Sequence, residues 1–286
     1  MARAAPTSES HETPARSPGE VTAPEGLFEF DDGLYHPSEF TRGPWNANAQ
    51  HGGPPSALLA ALCEPHVRAD EFLSQLHIEL LRPISLDPLE ATAERVRVSG
   101  RVFQVHGQLE QGSEVVARAT ALVLVSSELP EPDWVAERTP ATAPPSADAA
   151  VDPPRWASGD VTTYHRNAVE HRFTEGSFRD PGPAVDWIRL RMPVIAGASP
   201  SGLQRLAATA DFGSGISAVY SSDSPIGLIN ANLTISRIRE NVGEWVSLDA
   251  TTHVGRGTGL GTTWLGDPDG RVAIATQCLL GYSTTR

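Results

Sequence analysis

The chain has 286 residues, 40% of them hydrophobic and 20% charged, with a formal net charge of −13. That is the composition of a globular protein that folds in water, and no apolar run approaches the roughly 20 residues a membrane-spanning helix needs. The acidic balance excludes general nucleic-acid binding, and because all 22 basic residues are Arg, Schiff-base lysine chemistry is excluded too.

Residues 1–25 are rich in Ala, Pro, Ser, Thr and Glu and are expected to form a disordered tail. The N-terminus lacks the basic segment and apolar core of a secretory signal, so a cytoplasmic location without stable membrane association is expected. The first folded unit, 26–126, opens with short segments around 28–30 and 34–35. QHGGPPSALLAALCEPHV follows, where Gly52 and Gly53 permit unusual backbone angles and the prolines are tolerated in a first helical turn. The run from Ala57 to Leu62 is apolar on every side, which predicts a helix buried all round. The period then changes to that of strands in LHIELLRPISL, LEATAERVRVSG, RVFQVHGQLEQG and SEVVARATALVLV. Residues 127–160, rich in Pro and Ala, read as a linker.

The second unit, 161–286, repeats the plan. AVEHRFTEG and AVDWIRLRMPV read as strands, and SGLQRLAATADFGSG reads as a helix begun by Ser199 or Ser201. NLTISRIR, EWVSLDATTHVG, TGLGTTWLGD and GRVAIATQCLLGY read as a meander, with a glycine turn at Gly270. A shift of 157 residues, which takes Arg82 onto Arg239, also takes Ala93 onto Ala250, Gly100 onto Gly257 and Val115 onto Val272. A helix ahead of a meander in both halves predicts a duplication, each apolar helix covered by a sheet curled around it.

RGPWNANAQHGGPPSALLAAL with LHIELLRPISLDPLE resembles the N-terminal half of the acyl-CoA thioesterase II-like (TesB-like) double hot-dog proteins. WIRLRMPV, AATADFGSG, INANLTISRIRENVGEWVSLDATT and GRVAIATQCLLGY resemble the C-terminal half. The resemblance implies an α+β double hot-dog fold, two fused units each with a long central helix wrapped by a curved antiparallel sheet. It implies hydrolysis of acyl-CoA or acyl-carrier thioesters without a cofactor. In that family an Asp on the second helix, a Thr or Asn on the next strand and a Gln on the last strand bind the attacking water. Matched here, they fall on Asp211, Asn230 and Gln277. Asn230 stands where the best-known members carry Thr, and an amide can still donate and accept. On a regular strand Asn230, Asn232 and Thr234 share one face, which makes Thr234 a candidate for substrate contact.

The residues themselves leave alternatives open. Asp211 ends an apolar helix and is either desolvated, as a general base requires, or a solvated turn residue. Gln277 lies in an apolar strand, facing either the interior or solvent. Gly52 and Gly53 offer a helix N-terminus for a carbonyl oxygen or phosphate, though Pro54 and Pro55 remove two donors; the other reading is a turn that lets the helix approach the sheet. His51 reads as structural rather than as a base. Arg189 with Arg191, and Arg237 with Arg239, either meet coenzyme A phosphates, for which Arg239 is the candidate, or pair with carboxylates. His106, His165, His171 and His253 lack metal-ligand spacing, so no metal is expected. Cys63 and Cys278 both read as buried, inert thiols. A non-catalytic acyl-chain binder is the rival reading. A hot-dog dehydratase is disfavoured because Ile216, not His, stands five residues after Asp211. Exposed edges and a broad outer face predict a homo-oligomer.

Overall fold

The computed structural model describes residues 25–130, 132, 143–151 and 160–283. The expected tail, apart from Glu25, and most of the expected linker lie outside the described residues.

Strands β1 (Phe28–Asp31) and β2 (Leu34–Pro37) form a hairpin ahead of helix α1 (Gly53–Cys63). The first meander is β3 (Glu71–Leu80), β4 (Glu90–Arg97), β5 (Val102–Gln111) and β6 (Glu114–Val125). Strands β7 (Ala150–Val151), β8 (Val169–Glu175) and β9 (Ala184–Leu190) lead to α2 (Gly202–Ala210) and the single turn α3 (Gly213–Ile216). The second meander is β10 (Ile226–Asn230), β11 (Asn232–Arg237), β12 (Trp245–Gly255), β13 (Thr258–Asp267) and β14 (Gly270–Ser283). Thus part of the expected linker, residues 150–151, is an edge strand paired with β8.

The main sheet has 12 strands in the order β4-β5-β6-β3-β11-β14-β13-β12-β9-β8-β7, with β10 paired to β14. Its centre is a local dyad. β3 and β11 pair antiparallel, and His77 stands opposite Thr234, its own counterpart 157 residues along the chain, with Nδ1 and Oγ1 2.8 Å apart. From there β6, β5, β4 on one side mirror β14, β13, β12 on the other. The duplication expected from the 157-residue shift is therefore built into the sheet.

The helices pack against each other inside the curve of the sheet. α1 is buried from Gly53 through Ala60, as its uniformly apolar sequence requires. α2 is amphipathic, burying Leu203, Leu206, Ala207 and Ala210. Ser201 caps it, its Oγ accepting from Gln204 N–H at 3.0 Å. Gly270 adopts φ 109°, the left-handed conformation expected of the β13–β14 turn. Cys63 is buried and its thiol is pushed up to about 12, chiefly by burial, so it is inert. Cys278 departs from expectation: strand alternation puts it on the outer face, exposed.

Candidate active site

α1 and α2 run antiparallel, bringing the N-terminus of one to the C-terminus of the other. Two glycines make the approach possible. A Cβ on Gly53 would lie 2.4 Å from Ala208 O, and one on Gly52 would lie 2.8 and 2.9 Å from the two Asp211 carboxylate oxygens. The contact that demands glycine is thus between helices, rather than between helix and sheet. Tyr164 Oη donates to Ala208 O at 2.8 Å and closes the end of α2.

Asp211 caps the C-terminus of α2 and is only 8% exposed. Its alternative reading as a solvated turn residue is corrected by this burial. Asn230 Nδ2 donates to Asp211 Oδ1 at 2.6 Å, and Gln277 Nε2 lies 3.4 Å from the same oxygen and 3.2 Å from Asp211 O. Gln277 is buried within β14. Its amide has one orientation, because Oε1 accepts Ser214 N–H at 2.9 Å, leaving Nε2 to face the carboxylate.

Asn230 reaches Asp211 because the strand is broken beside it. Asn230 pairs with Leu279, whereas Thr234 pairs with Thr276. One residue, Ala231, is extra between β10 and β11, so the alternation inverts there. The expectation that Asn230 and Thr234 share a face is therefore corrected. Asn230 points inward with Leu279 and Gln277, while Thr234 lies on the opposite face of the sheet against His77. Arg239 is likewise outside the site, holding buried Asp267 in a two-pronged fork at 2.6 and 2.7 Å. Arg237 is buried, with Nη1 on Leu73 O at 2.9 Å, and Arg189 pairs with Glu170 at 2.6 Å. All three thus have carboxylate or backbone partners, the alternative that the sequence left beside a coenzyme A contact.

His51 is the residue the sequence undervalued. Its Nδ1 lies 2.9 Å from Asp211 Oδ2 and 3.1 Å from Gly53 N. Asp211's own helix carries Ile216 rather than His five residues on, and this imidazole arrives from the other unit, at the start of α1. The signal was there in a His directly before two glycines at a helix start. Phe212 and Tyr164 close the site from behind, the His51 ring lying 4.7 and 5.1 Å from theirs. Burial, and after it the Asp211 charge, raises the Tyr164 hydroxyl well above its ordinary value, so it stays protonated. Among the described residues no group of His, Cys, Asp or Glu could hold a metal ion.

A dyad of two helix-on-sheet units is the double hot-dog architecture. The chain belongs to the acyl-CoA thioesterase family: the profile of the acyl-CoA thioesterase N-terminal domain matches residues 41–124, and that of the C-terminal domain matches residues 136–280. It is accordingly a thioesterase. Among solved structures it is similar to a hot dog fold protein of unknown function from Alicyclobacillus acidocaldarius (TM-score 0.68, 17% identity, 90% of this chain and 96% of that one). It is also similar to an acyl-CoA thioesterase II, TesB2, from Mycobacterium marinum (0.56, 18%, 89% and 95%). The tesB protein of Mycobacterium avium subs paratuberculosis is a third (0.59, 15%, 84% and 94%). At these identities the likeness is one of fold. A search of curated proteins gives no match.

Proposed function

We propose that the chain hydrolyses acyl-CoA or acyl-carrier thioesters with Asp211 as general base and Asn230 and Gln277 as the amides that hold the attacking water beside it. The carrying observation is the convergence of two amide N–H groups, from β10 and β14, on one buried carboxylate oxygen. Both amides donate to Oδ1, so that oxygen acts as a hydrogen-bond acceptor, the role a base needs. A water in this cluster gives a proton to Asp211 while its oxygen bonds to the thioester carbonyl carbon. The tetrahedral intermediate then expels the thiolate as the C–S bond breaks, and Asp211 returns the proton to sulfur. Acid and thiol are the products.

His51 and Gly53 complete the scheme. One ring nitrogen cannot both donate to Asp211 and accept from Gly53. In the resting site Nδ1 accepts Gly53 N–H at 3.1 Å, and only a ring that donates from Nδ1 to Asp211 instead would free that N–H. Gly53 is the one N–H among the first three helical residues, since Pro54 and Pro55 follow it. Once freed, that N–H at the positive end of α1 would be a donor for the developing oxyanion.

Asp211→Asn is expected to lower kcat by about 10²–10⁴-fold in a thiol-release assay across acyl-CoA lengths, with KM and fold retained; unchanged turnover removes the base. Saturable acyl-CoA binding without thiol release would instead mark a binder. The His51–Asp211 contact also suits water addition to an enoyl thioester, and assaying the purified protein for enoyl-CoA hydration separates that reading. The exposed pair Ile229 and Leu280, with Leu260 two strands away, supports a homo-oligomer formed through the outer face, testable by light scattering. No described helix is long and apolar enough to cross a membrane, and we take the enzyme to act in the cytoplasm, in lipid metabolism.

A further inference from the structure

Behind Phe212 lies a second carboxylate–imidazole pair that the hydrolysis scheme does not use. His171 on β8 and Asp186 on β9 have fully buried side chains, with Nδ1 2.6 Å from Oδ2. The other carboxylate oxygen accepts Arg172 N–H at 3.0 Å, so Asp186 is tied to the backbone of β8. His171 Nε2 has no partner. The ring is therefore oriented from one side by Asp186 and otherwise by packing. It stands perpendicular to Phe212 at 4.9 Å and to Phe178 at 4.9 Å. Phe212 directly follows Asp211 in the chain, and its ring also meets His51 at 4.7 Å.

We propose that Asp186 and His171 are positioning residues for thioester hydrolysis, setting the place of Asp211 and His51 through the ring of Phe212. A buried polar pair seldom adds stability over an apolar replacement of similar volume, which turns attention to what it orients. Here it orients a ring in contact with the one residue between itself and the candidate base. Rate is sensitive to such placement, since a shift of about 1 Å is able to lower turnover about 10²-fold. His165 also lies near His51 and His171. Burial, reinforced by those two rings, lowers it to about 3, so it stays neutral and does not compete for the Asp186 carboxylate.

The inference rests on the thioesterase scheme with Asp211 at its centre, and three variants test it. In His171→Phe/Asp186→Leu the buried volume is kept but becomes apolar, and the orienting bond is gone. We expect kcat to fall about 10–100-fold with KM within about twofold, since misplaced chemistry leaves substrate binding alone. Asp186→Asn is the rescue: its amide oxygen still accepts Arg172 N–H and its NH₂ donates to unprotonated Nδ1, so kcat stays within about threefold. Phe212→Leu, which keeps both members of the pair, is expected to lower kcat as the double variant does. Wild-type kcat in a folded double variant, or in Phe212→Leu, overturns the proposal. NMR titration of the His51 ring reads the coupling without turnover: its resonances are expected to move in the double variant and stay in Asp186→Asn. A moved His51 signal in a protein that releases no thiol refutes the hydrolysis scheme alone, and an unmoved signal refutes the positioning role.

Discussion

At the scale of residues, Asp211 is surrounded by donors and rings rather than by solvent, and each neighbour comes from a different part of the chain. Asp211, Asn230 and Gln277 were legible because the resemblance names residue types in a fixed order along the sequence. His51 was not, since a lone His beside glycines is usually structural and only the folded chain shows which carboxylate it meets. His165 illustrates a further consequence of the crowded rings. Folded, it binds a proton only near pH 3, whereas an unfolded histidine does so near 6.5. Between those values the unfolded state takes up the extra proton, so this contribution is fully present above about pH 6.5 and is lost as the pH falls toward 3. Urea unfolding between pH 7 and 4 should therefore show a steeper loss of stability in the wild type than in His165→Leu. Parallel slopes would remove His165 as the cause.

At the scale of elements, strands and turns were legible because alternation and glycine positions are local properties. Two features were not. The extra residue Ala231 inverts the alternation between Asn230 and Thr234, and nothing in a sequence of polar and apolar residues marks which one bulges out. β3 carries the matching irregularity between Leu73 and Gln75, so the bulge belongs to the duplicated unit and not to the site alone. The second is the contact between helix ends, where the reason for two glycines lies in Ala208 and Asp211, far along the chain. It yields a pair of substitutions with different signatures. Gly53→Ala drives a methyl against the backbone of α2 and is expected to destabilise the fold by about 1–3 kcal/mol, as overpacking does. Gly52→Ala meets the Asp211 carboxylate first, a side chain rather than backbone, and displaces it from Asn230. It should lose turnover well beyond any loss in melting temperature, and equal losses in the two variants would contradict this division.

At the scale of the whole molecule, a duplicated chain with a dyad has room for two carboxylate–amide clusters, and the register shows why the first unit lacks one. Asn230 stands opposite Leu279 just as Leu73 stands opposite Val123, so the counterparts of Asn230 and Gln277 in the first unit are Leu73 and Ala121. Both are buried and apolar. The dyad also places an acid at the mirrored helix end: Glu64 caps α1 as Asp211 caps α2, but its Oε2 takes a hydrogen bond from Gln204 Nε2 at 2.8 Å on the facing helix. The connection after α2, residues 211–225, is longer than its counterpart at 64–70 and includes α3, whose Ser214 N–H fixes the Gln277 amide. Nothing in the first unit supplies that donor. Titration with a non-hydrolysable acyl-CoA thioether should accordingly saturate at one equivalent per chain, and Glu64→Gln should leave kcat unchanged where Asp211→Asn lowers it about 10²–10⁴-fold. Two equivalents, or a matching loss in Glu64→Gln, would mean that the first unit also works.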